Sequence, residues 1–317
     1  MNLIKENCIL CSHKELLNKQ TIKTSQINNL YKKDLGIDIS TEFKESTEIN
    51  FVECSNCNLH FFTPVCSGSP KFYESLQIAT DFYYKNNRYE FSYAKKQIKV
   101  TDRVLEIGAG NASFAQMLNV KEYIGLEYNE KAIASAKRKG IKLINQSIQD
   151  FALEKQNYFD VVCSFQVLEH VPDVFEFINA ALKTIKKDGL LIFGIPSAES
   201  ILTSNINHTL NLPPHHISRW YDKTLEKLPT IFNVDVIDIN HEPLSGKFSK
   251  RYKINNLSEK IYKYFLKKNI VISDKKRISF IEKIVRKIIN RFNLMSSFKK
   301  EGKYGESVIF VLKKNKY

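Results

Sequence analysis

The chain has 317 residues, a formal net charge of +14 and six cysteines, which leaves room for one main domain with an appendage or two. No run of about eighteen apolar residues occurs, so a membrane-spanning helix is excluded; Met1 to Leu10 lacks the apolar centre of a signal peptide, so a cytoplasmic protein with reduced thiols is expected. The positive charge sits at one end, since residues 247–317 carry 21 Lys and Arg against 5 Asp and Glu and residues 1–246 carry 27 against 29.

The first predicted element is a zinc-ribbon-like segment over residues 1–68. Cys8-x-x-Cys11 and Cys54-x-x-Cys57 supply two knuckle-like pairs, each able to turn two sulfurs toward one tetrahedral ion. Asn58, directly after Cys57, suits the left-handed backbone that such a knuckle favours. The 42 residues between the pairs exceed the common ribbon spacing, so an inserted excursion is expected over Asn18 to Glu48. A redox CxxC belongs at a strand-helix junction of a thioredoxin-like unit, which this region does not show, so structural Zn2+ is the expectation. His13 and His60 are near enough to replace a cysteine, and Cys163, inside an apolar run, reads as core.

Residues 69–100 form an aromatic helical connector rich in tyrosine: Tyr73, Tyr83, Tyr84, Tyr89 and Tyr93. These rings suit either a core or a surface that covers a cofactor or stacks on a sugar.

The core is expected over residues 101–246, and it opens on RVLEIGAGNASFAQML from Arg103 to Leu118. The apolar run Val104, Leu105 and Ile107 ends in Gly108-x-Gly110 and is followed by an amphipathic stretch, the pattern of strand, glycine turn and helix. Glycine serves a turn whose backbone angles a Cβ resists and which a ligand must approach closely. Glu127 ends a second apolar run seventeen residues after Gly110 and is placed to accept hydrogen bonds from a ribose diol, with Tyr128 beside it. A dinucleotide fingerprint wants a third small glycine where Ser113 stands. Glu106, two residues before Gly108, would repel a pyrophosphate but hold an amino-acid ammonium, so S-adenosyl-L-methionine fits the loop better than a nicotinamide dinucleotide.

Beyond Glu127, helices and apolar runs alternate as in a parallel sheet. Asn129 to Lys139 is a capped amphipathic helix and Ile141 to Ile144 a short strand, with Gln146 to Phe151 leading into a loop. Phe159 to Phe165 is a buried strand, a helix closes over Leu182 to Lys187 at Asp188-Gly189, and Leu190 to Ile195 is the fifth strand.

With these motifs in register, the span from about Asp102 to Pro196 resembles the class I S-adenosylmethionine-dependent methyltransferases. The resemblance implies an α/β, Rossmann-like seven-stranded sheet whose last strand is antiparallel. Glu306 to Leu312 is the candidate for that strand and Ile231 to Ile239 for its partner. It also implies that Glu106, Gly108, Gly110, Glu127 and Tyr128 bind cofactor, that Ile148 and Gln149 flank the adenine, and that Phe165 lies in the loop lining the methionine side.

Methyl transfer mainly requires donor and nucleophile to be held in line, and a hydroxyl acceptor needs a base nearby. His170 follows the fourth strand, but the same Glu-His-Val recurs in members of the superfamily with different acceptors, which favours positioning over catalysis. Pro213-Pro214-His215-His216 places two imidazoles behind two prolines in a loop expected to overhang the acceptor, so His215 and His216 are the catalytic candidates.

The double CxxC, the aromatic connector and PPHHISRW together resemble a bacterial family of nucleotide-sugar and surface-glycan methyltransferases. The chain has no room for the further C-terminal domain of the sugar C-methyltransferases, which favours O-methylation of a sugar hydroxyl over C-methylation. The acceptor expected is a sugar or glycan, as a small molecule or lipid-linked. Residues 247–303 are expected to be a basic helical insertion before the final strand at 304–317. Leu257 to Lys268 gives one amphipathic stretch and Ile278 to Phe292 another, with Ile281, Ile284, Val285, Ile288 and Phe292 along one face. Such a helix suits the inner face of an anionic membrane, a lid on the core, or a nucleic-acid grip. The last reading supports an RNA methyltransferase with a zinc ribbon, against which SFQVLEH lacks the Asn/Asp-Pro-Pro-aromatic turn of enzymes that methylate exocyclic base nitrogens. A non-catalytic scaffold predicts a broken glycine loop or a missing ribose acid, and neither is seen.

Overall fold

The computed structural model describes residues 3–4, 6–80, 88–200, 205–244, 271–273, 283–285, 287 and 304–315. In chain order, β1 (Leu3–Ile4), β2 (Leu16–Lys23), helix α1 (Thr24–Leu35), β3 (Glu48–Cys54) and β4 (His60–Thr63) precede the helices α2 (Pro70–Ala79) and α3 (Tyr89–Lys95). Then come β5 (Arg103–Ile107), β6 (Glu122–Leu126), α4 (Glu130–Arg138), β7 (Leu143–Ile144), α5 (Ile148–Glu154), β8 (Phe159–Phe165), α6 (Val174–Thr184) and β9 (Ile185–Pro196). The chain continues through β10 (Ser218–Arg219), α7 (Asp222–Leu225) and β11 (Val234–Pro243) to β12 (Tyr304–Lys314).

Two sheets result. The larger has seven strands in the order β11-β12-β9-β8-β5-β6-β7. β5 to β9 pair in parallel, and β12 inserts antiparallel between β9 and β11. This is the Rossmann-like seven-stranded sheet that the resemblance implied, with its last strand reversed. β8 is buried along nearly its whole length, as a central parallel strand covered on both faces must be.

Local chemistry explains the elements that flank the crevice. Asn129 caps α4, its side chain accepting from the amides of Lys131 and Ala132, which satisfies two of the orphan donors of that helix. Helix α6 buries Val174, Phe177, Ile178, Ala181 and Leu182, an i, i+3, i+4, i+7, i+8 stripe that lies on the sheet.

Three expectations are corrected. The stretch after Gly110 forms only a short 3-10 turn, Ala115–Met117: Ala112 at φ 58° bars a right-handed helix before it, and Leu118, extended at φ −95° and ψ 145°, ends it. The segment from Gln146 to Phe151 is not a loop, since Ser147 caps α5 by accepting from the amide of Asp150. Helix α6 ends at Thr184 instead of running to Asp188-Gly189, and β9 begins at once. Asp188 at φ 63° kinks that strand, so its register against β8 jumps from Phe159↔Ile185 to Val161↔Leu190.

The smaller sheet, β1-β2-β3-β4-β10, is antiparallel and takes its last strand from the far side of the core sequence. Ser218 pairs with Phe61 and Arg219 with His60. Val52 and Phe61 of this sheet, with Cys8 and Leu10 of the first knuckle and Trp220 just after β10, join one apolar cluster with Leu105, Phe193 and Phe310 of the larger sheet. The excursion between the cysteine pairs is thus part of a sheet packed on the larger one. A second cluster gathers Tyr31 of α1, Phe43, Phe51, Phe72 and Leu212.

Candidate active site

The glycine loop leaves the C-terminal end of β5, the edge at which open α/β sheets take ligands. Gly108 has φ 75° and Gly110 φ 53°. The amide of Gly108 donates to the Leu126 carbonyl at 2.9 Å and that of Ala109 to the same oxygen at 3.0 Å, which clamps the loop to the end of β6. Glu127 finishes the clamp: one carboxylate oxygen accepts from the Gly110 amide at 2.7 Å, the other from the Asn129 amide at 2.9 Å. A carboxylate has about four lone-pair sites, so each oxygen keeps one with which to meet a ribose hydroxyl. Glu127 is half-buried and Tyr128 is exposed.

Glu106 is 2% exposed and accepts from the hydroxyl of Tyr123 across the β5-β6 pair. Burial pushes its carboxyl up to about 8, against the opposing pull of the Tyr123 hydrogen bond and with the Glu127 charge adding to the rise. The folded chain therefore keeps this proton between about 4.5 and 8, where the unfolded chain has lost it. Stability linked to Glu106 is full below the unfolded value and is lost as pH rises through the folded one. Urea midpoints are expected to fall between pH 5 and 8.5, and Glu106→Gln to shrink that slope; an unchanged slope would remove the assignment.

On the adenine side, Ile148 is buried and Gln149 exposed at the start of α5. The Phe165 ring lies in an edge-packed trio with Phe91 at 5.1 Å and Phe114 at 4.9 Å, so it walls the crevice from within the core. Just beyond it, Gln166 turns the chain at φ 57°, and its side chain donates to the buried Glu90 at 2.8 Å. Val167 then covers the loop: a Cβ on Gly108 would lie 2.4 Å from Val167 Cγ2.

The next residues bring His170 together with His215 and His216. The ring centroids of His170 and His215 are 4.6 Å apart, those of His170 and His216 5.0 Å, and His215 stacks on His216 at 4.4 Å. Each Nδ1 faces an oxygen: the His215 carbonyl for His170 at 2.5 Å, the Leu210 carbonyl for His215 at 2.8 Å, and Asn211 Oδ1 for His216 at 3.2 Å. Burial holds His170 down to about 4 and the other two well below the usual imidazole range, so all three rings are neutral. Tyr73 of α2 sets its ring 6.0 Å from that of His170 and 6.3 Å from that of His215.

Glu169 is the residue that sequence reasoning passed over. It is 1% exposed, lies 3.6 Å from His170 Nε2 and 3.9 Å from His216 Nε2, and burial pushes its carboxyl up to about 8. Its place beside His170 in the sequence was the available signal; the His-His pair that meets it comes 46 and 47 residues on. A second unforeseen array joins Ser197, His241 and Asp222, with His241 Nδ1 3.2 Å from Ser197 Oγ and Nε2 2.9 Å from Asp222. Residues so distant in sequence leave no local pattern.

The four predicted cysteines come together. Cys8 and Cys57 sulfurs lie 3.6 Å apart, as do those of Cys11 and Cys54. All four are free thiols, and their sulfurs lie within 4.8 Å of one another. A tetrahedron with zinc-sulfur bonds of about 2.3 Å has edges of roughly 3.8 Å, whereas a disulfide needs about 2.05 Å, so the cluster fits zinc. The two knuckles match: Ser12 and Asn58 take φ 57° and 61°, and their amides donate to the carbonyls of Cys8 and Cys54. His60 turns instead to Glu53 and the Asn58 carbonyl, so neither it nor His13 is needed as a ligand. Cys163 is core, as expected.

The tyrosines divide. Tyr89 donates to Asn240 at 2.5 Å and Tyr93 to Asp238, which ties α3 to β11, while Tyr83 and Tyr84 lie outside the described residues. Most of the basic insertion lies outside them as well. Within it, Val271 and Ile272 are buried against the second cluster, and the Gln20 side chain both donates to the Ile272 carbonyl and accepts from the Val271 amide at 2.8 Å. Val285 is buried and Ile284 is 40% exposed. Among the described residues no helix is long and apolar enough to cross a membrane.

Comparison with known proteins bears on the core. A family model described as a methyltransferase domain matches residues 83–239. The chain is 33% identical over 100 residues to an uncharacterized protein of Methanocaldococcus jannaschii, covering 32% of this chain and 47% of that one. It is 23% identical over 171 residues to a ubiquinone biosynthesis O-methyltransferase of Dechloromonas aromatica, covering 46% and 72%. Among solved structures, a SAM-dependent methyltransferase from Archaeoglobus fulgidus superimposes with a TM-score of 0.43 at 18% identity, over 71% of this chain and 94% of that one. The chain spans about half the length of the first of these relatives.

Proposed function

We propose that this chain, whose residues 83–239 match a methyltransferase-domain model, uses S-adenosylmethionine to methylate a sugar hydroxyl on a nucleotide-sugar or a surface-glycan or glycolipid precursor. The observation that carries transfer to oxygen is the buried group of His170, His215, His216 and Glu169 beside the glycine loop, because a hydroxyl nucleophile needs a proton acceptor whereas an amine that arrives unprotonated needs none. The O-methyltransferase relatives of Dechloromonas aromatica and Nitrosomonas europaea support the same atom class. The sugar rests on the likeness of the cysteine pairs, the connector and PPHHISRW to sugar-modifying enzymes.

When bound, S-adenosylmethionine supplies an electrophilic methyl group on a sulfonium. Glu127 offers its remaining lone pairs to the ribose, Gly108 and Gly110 give close approach under the methionine part, Glu106 would release its proton on meeting the ammonium, and Ile148 provides an apolar wall for the adenine. His215 and His216 are the bases in this reading: with Nδ1 donating to an oxygen, Nε2 of a neutral ring can accept the hydroxyl proton. Glu169 would then stabilise the imidazolium so formed.

The test is transfer of a labelled methyl group to nucleotide-sugars, lipid-linked glycan precursors and RNA offered in parallel. An alkali-stable sugar ether is expected; label found only in RNA, or on a sugar carbon, would overturn the reading. The donor site is tested apart by calorimetry with adenosylhomocysteine. Loss of a charged acceptor costs about 1.5–3 kcal/mol per hydrogen bond, so Glu127→Ala should weaken binding by at least about tenfold. Undiminished affinity would sink the cofactor placement.

A further inference from the structure

We propose that His170, His215, His216 and Glu169 bind a divalent first-row transition-metal ion, at a second site distinct from the four cysteines. One ligand atom from each histidine lies within 4.8 Å of the others. Zinc-nitrogen bonds of about 2.0–2.1 Å place tetrahedral ligands roughly 3.4 Å apart, so the ligand atoms need to close by at most about 1.4 Å to grip an ion.

The tautomers favour it. Every Nδ1 of the three rings faces an oxygen of a carbonyl or side-chain amide, and such an oxygen only accepts. Nδ1 is therefore the donor nitrogen of each ring, and Nε2 is the nitrogen that can ligate. Metal-bound histidines are oriented in this way, the far nitrogen donating to a carbonyl while the near one ligates.

Glu169 is the independent observation. Both its oxygens are buried and have no hydrogen-bond partner among the described residues, although its carboxylate is 3.6 Å from His170 Nε2 and 3.9 Å from His216 Nε2. A buried carboxyl without partners is costly and rare in a folded protein. A cation among the four groups would satisfy it. Three imidazoles with one carboxylate suit Zn2+, Fe2+ or Ni2+, whereas Mg2+ and Ca2+ prefer an all-oxygen shell.

The site follows Val167, which covers Gly108, so an ion there would lie beside the donor loop. On the proposed function, an ion there would polarise the acceptor hydroxyl as a Lewis acid; the hydroxyl proton would leave to water, and with the ion bound His215 and His216 would hold it in place of serving as the bases of the ion-free reading. Binding itself does not depend on that function.

The experiment starts from full-length protein with zinc on its cysteines and titrates in Co2+. A second equivalent should bind with nitrogen- and oxygen-ligand d-d bands and no thiolate charge-transfer band. It should disappear in His216→Ala and in the near-isosteric Glu169→Gln, both with wild-type circular dichroism. No second equivalent in the wild type, or one kept in Glu169→Gln and His216→Ala, overturns the site. Methyl transfer is followed separately in metal-stripped and Zn2+-reloaded enzyme. Failure to methylate any sugar with the second equivalent still bound would count against the function and leave the site standing.

Discussion

If the N-terminal cysteine cluster holds zinc as its geometry fits, exchange of Cys54 for serine is expected to abolish zinc binding there and to unfold the smaller sheet, with a loss comparable to the stability of a whole domain. Structural zinc sites contribute apparent binding energies of about 10–16 kcal/mol in isolated fingers, against a typical domain stability of about 5–15 kcal/mol. Four buried or half-buried sulfurs without an ion would retain four thiols where the fold places ligands. The damage should not stay local. Cys8, Cys54 and Cys57 share an apolar cluster with Trp220 and Leu105, and the Phe62 amide donates to the Ile217 carbonyl at 3.0 Å, beside the two adjacent histidines. Methyl transfer should therefore fall together with zinc content. Zinc is measured with a colorimetric chelator, and thermal melts are recorded before and after chelation. Wild-type protein that melts at the same temperature without zinc would refute the structural role.

Gly108→Ala should cost about 2–5 kcal/mol of stability, as the sum of about 1–2 kcal/mol for an L-residue in the left-handed region and about 1–3 kcal/mol for overpacking. The new Cβ would stand 2.4 Å from Val167 Cγ2, and Val167 is β-branched and stiff at χ1. Gly36→Ala is the control. That glycine has φ 72° and nothing within 4 Å of the added atom, so only the backbone strain applies. Denaturant midpoints of both variants separate strain from crowding. Adenosylhomocysteine affinity should drop at least tenfold in Gly108→Ala, by about 1.4 kcal/mol or more, and stay at the wild-type level in Gly36→Ala. Equal stability losses in the two variants would show that Val167 yields and that the loop is less closely built than its geometry requires.

Much of the core was legible because its elements are local. β8 is a continuous apolar run, α4 begins at its Asn129 cap, and the turn at Gly108 uses angles that glycine tolerates. The spacing of the cysteine pairs carried the knuckles and the left-handed Asn58. Element boundaries were less legible where one backbone angle overrode the apolar pattern, as at Ala112 in the glycine loop and Asp188 inside β9. Nor did periodicity reveal that Ser147 caps a helix where a loop was expected.

What the sequence determined by itself was the chemistry available: the carboxylates at the strand ends, the glycine loop, four thiols in two pairs and two imidazoles behind two prolines. The tertiary structure decided which of these groups meet. Ser218 and Arg219 add the fifth strand of the cysteine-bearing sheet, and that pairing brings His215 and His216 onto His170 and the buried Glu169. Such contacts join positions that no local propensity links. They form only when long-range strand pairing and burial repay the entropy of closing the chain between them, and burial then sets the protonation of the groups enclosed.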